Sequence, residues 1–261
     1  MNRRTALTLA LAAALAPSAL AAPSGKGMVA GYIDRNAERF GEVAQSIWDF
    51  AEVGYMETQS SALLQTTLRE AGFTVEAGVA GIPTAFVASW SNGEGPVIGI
   101  LAEFDALPGI TQDRSPQRAP LEAKPAGHAC GHHLFGTGST AAAMAVKEWM
   151  GATGQKGTIR LYGTPAEEGG AGKVYMVRGG LFDDVDVVLH WHAGDRNAAS
   201  SGSSLANKSA KFRFRGVSAH AAGSPERGRS ALDGVEAMNH MVNLMREHVP
   251  QETRIHYVIT Y

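Results

Sequence analysis

Apolar positions change rhythm along the chain, and each rhythm predicts a different element. From Ala30 to Ala71 the spacing is helical: Ile47, Phe50 and Ala51 recur at three- and four-residue steps, and the run Ala62 to Ala71 stops at Gly72, a suitable helix end. Short apolar stretches follow that do not alternate: Thr84 to Trp90, Pro96 to Ala102, Thr158 to Tyr162 and Val185 to Leu189. An Ala-rich helical segment, Gly138 to Met150, separates the second from the third. Unalternating strands interleaved with helices predict an α/β fold, a mostly parallel sheet with helices on both faces. After Gly202 the texture shifts. Ser209 to Arg215 alternates with period two, a helix is predicted from Ser230 to His248, and Arg254 to Tyr261 alternates again. Strand, helix and strand with one wet face predict the start of a smaller α+β domain. The expected division is residues 22–207 for the first domain and 208–261 for the second.

The first apolar run belongs to neither. Asn2-Arg3-Arg4 precedes the apolar stretch Ala6 to Leu15, and small residues follow through Ala21. That order describes a cleavable export signal, 1–21, in preference to a buried helix. The run is also too short for a bilayer, which needs roughly 20 apolar residues. The mature chain is therefore expected in a periplasm or outside the cell, with no membrane attachment after cleavage. Arg3-Arg4 leaves the general and twin-arginine export routes both open.

Composition narrows the function. Apolar residues are 44% of 261, enough for a sizeable core, and 23 Lys+Arg against 25 Asp+Glu leave no basic stripe for nucleic acid. Cys130 is the sole cysteine, so an internal disulfide is impossible and the thiol is free, inert or a ligand.

Polar residues gather at the carboxyl ends of the predicted strands, where open α/β sheets bind their ligands. Pro96 to Ala102 runs into Glu103-Phe104-Asp105, Thr158 to Tyr162 into Glu167-Glu168, and Val185 to Leu189 into His190-Trp191-His192. The densest group is Gly127-His128-Ala129-Cys130-Gly131-His132-His133. Thiolate and imidazole are donors that zinc and similar ions favour. Cys130 and His132, one residue apart, can face one side of an extended loop. Adjacent Glu167 and Glu168 repel unless a cation lies beside them, which suits one as ligand and the other as proton carrier. Of His190 and His192, close together at the end of one strand, at most one is expected to join the site, the other being packed.

In combination and order, EFDALPGI (103–110), GHACGHH (127–133), GTPAEEGGAGKVYMV (163–177), DVVLHWH (186–192) and GVSAHAAGSPERGRSALDG (216–234) resemble the M20 metallopeptidase family. The resemblance is to its amidohydrolase branch, which cleaves N-acyl amino acids and aminobenzoyl-glutamate. It implies two divalent ions, zinc or manganese, held by Cys130, His132, Glu168 and His192, with Cys130 bridging. Glu167 would be the general base toward a metal-activated water, and Asp105 a partner to a ligating histidine. His220 would reach across a homodimer, formed through the second domain, and stabilise the oxyanion. The substrate implied is a small N-acyl amino acid or dipeptide-like amide. Two positions depart from the pattern: Glu103-x-Asp105 stands where peptidase branches carry His-x-Asp, and His133 where relatives carry Asp or Asn. The resemblance also implies a further histidine ligand from a segment beyond Tyr261, so a truncated chain with weak or no turnover is expected. Two other classes stay open: a cysteine hydrolase using Cys130 with His132, and a non-catalytic metal- or peptide-binding remnant.

Overall fold

The computed structural model describes residues 25–260, and the predicted export signal lies outside them. The chain forms two compact units, divided between Asp195 and Arg196 rather than near Asn207.

Three helices open the first unit: α1 (Gly25–Arg35), α2 (Ala37–Phe50) and α3 (Thr58–Glu70). On α2, Phe40, Val43, Ala44 and Ile47 are buried, the three-and-four spacing of one helical face. The helix stops where Ala51 turns left-handed, φ 47°, and returns its amide to Ile47 O. The Glu52 carboxylate then organises the start of α3. Its oxygens accept from the Gln59 and Ser60 amides at 3.0 and 2.9 Å, satisfying donors that a helix start leaves free. Burial raises this carboxyl's pKa, but those hydrogen bonds outweigh it and hold the group below the usual range.

The sheet contains β1 (Thr74–Ala77), β2 (Phe86–Ser91), β3 (Val97–Ala102), β6 (Thr158–Gly163) and β7 (Val187–Leu189), in the order β1-β2-β6-β3-β7. A separate two-stranded ribbon joins β4 (Leu107–Pro108) to β5 (Ala126–Gly127). Pairing is parallel for β6–β3 and β3–β7 and antiparallel for β1–β2 and β2–β6. Only β2 therefore runs against the rest, and the strands that carry the site point the same way. β1 was not expected from the sequence.

The continuous apolar strands serve two cores at once. Phe86, Ala88, Ile100, Ile159 and Leu161 face a core shared with α2, α3 and α4 (His132–Thr153). The loop after β6 contains the single turn α5 (Glu167–Gly170) and leads into α6 (Gly172–Arg178). Ala85, Tyr162 and the partly buried Val87 and Leu101 face a second core with Met176 of α6. Alternate side chains thus go to opposite faces, and both faces are largely covered; the polar Ser89 and Arg160 fall at part-exposed positions, Arg160 pairing with Asp184.

In the second unit, α7 (Ala231–Met245) starts at Ser230, whose hydroxyl accepts from the Asp233 amide at 3.1 Å. The expected strand at 209–215 is not formed, nor is that at 254–261 over its described residues. Val217 and Arg229 make an isolated antiparallel bridge, and the alternating segments remain irregular. Alternation suits a half-exposed strand, but a strand needs a hydrogen-bonded neighbour, and none pairs with either segment among the described residues. No helix of the described residues is long and apolar enough to cross a membrane.

Candidate metal centre

Four segments of the first unit converge at the carboxyl ends of β3, β6 and β7. β3 delivers Glu103 and Asp105, the start of α4 delivers Cys130 and His132, and the loop after β6 delivers Glu167 and Glu168. The segment after β7 delivers His190 and His192.

The cysteine–histidine pair is not arranged as an extended loop. Gly131 adopts φ 92°, and His132 already lies in the first turn of α4. The left-handed glycine reverses the chain between Cys130 and His132, so both donors face the strand ends. His190 and His192 are two residues apart, so an extended chain turns both to the same side and Trp191 to the other. Trp191 turns into α4, its indole donating to Ser139 Oγ at 3.1 Å and its ring standing edge-on to Phe135 at 4.7 Å. His190 and His192 therefore both border the cluster: His190 Nε2 lies 3.5 Å from Glu103 Oε1, and His192 Nε2 lies 3.2 Å from Cys130 Sγ. The expectation that one of them is packed and satisfied does not hold, because His190 is partly open and faces a carboxylate.

The hydrogen bonds fix which nitrogen of each ring is bare. His132 Nδ1 lies 2.9 Å from Asp105 Oδ1 and 3.1 Å from the Asp105 carbonyl, both acceptors only, so it carries the proton. His192 Nδ1 likewise donates to Ala193 O at 2.9 Å. Each leaves Nε2 as the lone-pair atom aimed into the cluster, the tautomer a metal ligand requires. Asp105 is buried, and its other oxygen accepts from the Glu168 amide at 2.9 Å. Burial raises the Asp105 carboxyl, but the His132 hydrogen bond and the Glu168 and Glu167 amides outweigh it and hold the group low.

Several buried atoms lack a hydrogen-bond partner: His132 Nε2, Glu168 Oε1 and Glu103 Oε2. His132 Nε2 lies 3.2, 3.7 and 3.9 Å from oxygens of Glu103, Glu167 and Glu168, close but not aligned as hydrogen bonds. Lone pairs converging in a dry place repel unless a proton or cation lies among them. Burial alone would lower the His132 pKa, yet Asp105, Glu103 and Glu168 together raise it, so these carboxylates favour positive charge at that point. Two overlapping donor groups come within 4.8 Å and share the one free nitrogen of His132: Cys130, His132 and His192, and His132, Glu167 and Glu168. In type and tautomer the donors suit divalent ions, with His132 able to serve one of them.

One neighbour of the cluster, Lys173, escaped the sequence reading, and two histidines of the 127–133 motif prove to be structural. Lys173 on α6 hydrogen-bonds Glu103 Oε1 and partly offsets the local negative charge. His128 donates from Nε2 to Ile47 O at 3.0 Å, tying the motif to α2. Burial and the neighbouring His133 hold its pKa down to about 4, and burial with His132 does the same for His133. Both are thus neutral structural rings, not further ligands among the groups that enclose an ion. In the second unit, His220 Nδ1 accepts from the Ala222 and Gly223 amides at 3.2 and 2.9 Å. Its proton is therefore on Nε2, presented as a neutral donor.

Fold and donor set define a class: α/β domains that gather metal donors at the carboxyl ends of parallel strands. Within that class, the chain belongs to the peptidase family M20/M25/M40, whose profile matches residues 99–249, more than half of its length. It is 46% identical over 230 residues to a p-aminobenzoyl-glutamate hydrolase polypeptide of Escherichia coli K12, covering 87% of this chain and 47% of that one. It is 30% identical over 243 residues to human Xaa-Arg dipeptidase, covering 87% and 52%. The chain thus spans about half the length of these relatives. Among solved structures, an aminohydrolase candidate from methicillin-resistant Staphylococcus aureus superposes with a TM-score of 0.58 at 20% identity, covering 88% of this chain and 59% of that chain. A Bacillus subtilis protein described as a dinuclear metal-binding peptidase of the M20 family gives 0.50 at 22% identity, covering 62% and 44%.

Proposed function

We propose that the chain is the metal-holding part of an exported amidohydrolase that cleaves N-acyl amino acids or aminobenzoyl-glutamate-like amides. The observation that carries this reading is the set of buried, partnerless lone pairs on His132, Glu168 and Glu103 beside Cys130 and His192. Cys130, His132, Glu168 and His192 hold two divalent ions, zinc or manganese, in this reading. The description of a B. subtilis family member as dinuclear supports the number two. The ions, when bound, polarise the scissile carbonyl and make water acidic enough to attack near neutral pH.

The chain's own residues do the rest. Asp105 keeps both the His132 tautomer and the Glu168 amide in place. Glu167 has 43% of its side chain exposed, unlike Glu168 at 20%, so it has room to meet an incoming water. It takes a proton from that water as the new C–O bond forms, and returns it to the departing amine nitrogen as the C–N bond breaks. His220 donates its Nε2 proton in a hydrogen bond to the tetrahedral oxyanion of a second copy's site.

A thiol mechanism is disfavoured. His132, the base such a mechanism was expected to use, turns its free Nε2 toward oxygens of Glu103, Glu167 and Glu168 at 3.2, 3.7 and 3.9 Å, and burial with the neighbouring carboxylates pushes the Cys130 thiol up. The deciding experiment measures bound metal by mass spectrometry and hydrolysis of p-aminobenzoyl-glutamate, before and after chelation. Activity lost on chelation and restored by zinc or manganese supports the reading. Hydrolysis that survives complete metal removal refutes it, and two bound ions without turnover on any N-acyl amino acid leave a binding function in its place.

A further inference from the structure

We propose that residues 53–57 form a clamp for the loop that carries Glu167 and Glu168, with Glu57 and Tyr55 as positioning residues. The inference rests on the metal-centre reading for its consequence, but its evidence is separate. The loop after β6 is held in conformations that side chains rarely adopt. Ala166 has φ 56° and ψ 42°, and Ala171 φ 56° and ψ 41°, both left-handed without being glycine. Between them Glu168 leaves the helical region, at φ −69° and ψ 64°. Such residues persist only where their surroundings determine them strongly.

The surroundings here are one short segment. Glu57 is fully buried, and its Oε1 accepts from the Ala166 amide at 2.7 Å, immediately before the glutamate pair. Its Oε2 accepts from Thr84 Oγ1 at 3.0 Å, and the Thr84 carbonyl is held in turn by Ser61 Oγ at 2.8 Å. Two residues earlier, the Tyr55 hydroxyl donates to Gly170 O, just after the pair. Tyr55 is itself left-handed, at φ 67°. Backbone contact completes the grip. A Cβ on Gly54 would lie 2.9 Å from Ala166 Cα, and one on Gly170 would lie 2.6 Å from Ala166 Cβ and 2.8 Å from the Tyr55 ring. Asp105 Oδ2 holds the middle of the loop through the Glu168 amide.

The loop is thus pinned before, within and after the two glutamates. Glu57 and Tyr55 bond to its backbone, at Ala166 and Gly170, and so act through the loop and not as ligands. Burial pushes the Glu57 carboxyl pKa up, so a carboxylate is an expensive acceptor for a core position with no other task.

The test compares Tyr55→Phe, Glu57→Ala and Glu57→Gln with the wild type in two ways. The first is hydrogen exchange of the 164–172 amides in metal-free protein. The second is cobalt titration, followed by the d–d absorption of the bound ion. Tyr55 is 39% exposed, so Tyr55→Phe is expected to keep the wild-type melting temperature. It should still speed exchange in the loop, and weaken cobalt binding by about tenfold with a shifted absorption band, the scale on which residues supporting ligands act. Glu57→Ala should do both more strongly. Glu57→Gln should be rescued, because its amide oxygen can accept from Ala166 while its NH2 donates to Thr84 Oγ1. Unchanged loop exchange in Tyr55→Phe and Glu57→Ala, well below melting, would overturn the clamp. Exchange and cobalt effects in Glu57→Gln equal to those of Glu57→Ala would also overturn it. If the wild type itself takes up no cobalt, the metal-centre reading fails, and the exchange measurement still decides the clamp.

Discussion

Replacing Asp105 by asparagine should damage the metal centre without touching a ligand. Asp105 is buried and uses both carboxylate oxygens: Oδ1 receives His132 Nδ1–H and Oδ2 receives the Glu168 amide, each at 2.9 Å. Asparagine keeps the shape but offers one acceptor, so its NH2 must face one of these two donors. Facing Glu168, it leaves a buried amide unpaired beside a ligand. Facing His132, it drives the imidazole to the other tautomer and puts a proton on Nε2, where the ion should bind. A buried donor left unpaired costs about 1–3 kcal/mol. Each 1.4 kcal/mol is a factor of ten, so metal affinity should fall about 10- to 100-fold, which agrees with the general effect of groups that orient ligating histidines. The assay is zinc titration against a chromophoric chelator, with 15N NMR of the His132 ring reporting the tautomer. Affinity within twofold of wild type, with His132 Nδ1 still protonated, would refute the reasoning, since both donors would then be shown not to need the carboxylate.

Other predictions follow from the same geometry. Glu167→Ala should retain bound metal and lose turnover by about 10²- to 10⁴-fold, and a near-normal rate would remove Glu167 as proton carrier. His128 should make the metal-free protein sensitive to acid. Its folded pKa of about 4 lies below the ordinary 6.5, so the unfolded chain binds the extra proton first. Its contribution is complete above pH 6.5 and is lost as pH falls toward 4, amounting to about 3 kcal/mol at most. Urea unfolding at pH 7 and pH 5, in chelator, should show that fall in the wild type and a flatter response in His128→Gln; equal slopes would count against it. If His220 serves the site of a second copy, mixing and re-pairing inactive Glu167→Ala with inactive His220→Ala chains should restore part of the activity, and no recovery would place His220 in its own chain's site or outside catalysis.

The sequence conveyed some parts of this molecule well because one physical cause dominated each. A strand covered on both faces needs few polar residues, so β3 stands out as an unbroken apolar run, and the segments of β2 and β6 as mostly apolar ones broken at Ser89 and Arg160. The strand ends then mark where polar groups collect, so the gathering of Glu103, Asp105, Glu167, Glu168 and His192 was legible for that reason, and Cys130 and His132 by the density of their motif. Parts that depend on distant partners were not. The alternating 209–215 segment has the rhythm of a strand but no pairing neighbour among the described residues, and rhythm does not encode the neighbour. β1 is only four residues long and mixes polar with apolar, so it carries no periodic signal.

The loop residues were hidden more deeply. Nothing in Glu-Val-Gly-Tyr-Met-Glu announces that its second glutamate reaches an amide 109 residues away. The expectation that only one of His190 and His192 joins the site set aside period two, which puts residues two apart on one side; Trp191 between them packs onto α4. The donors of this centre were readable as residue types, whereas their orientation depends on Asp105, Trp191 and Glu57. Asp105 and Trp191 lie inside the recognisable motifs, whereas Glu57 reaches its target through a tertiary contact with no local pattern. Substitution at Glu57 should therefore disturb the site in a way a motif comparison would not flag.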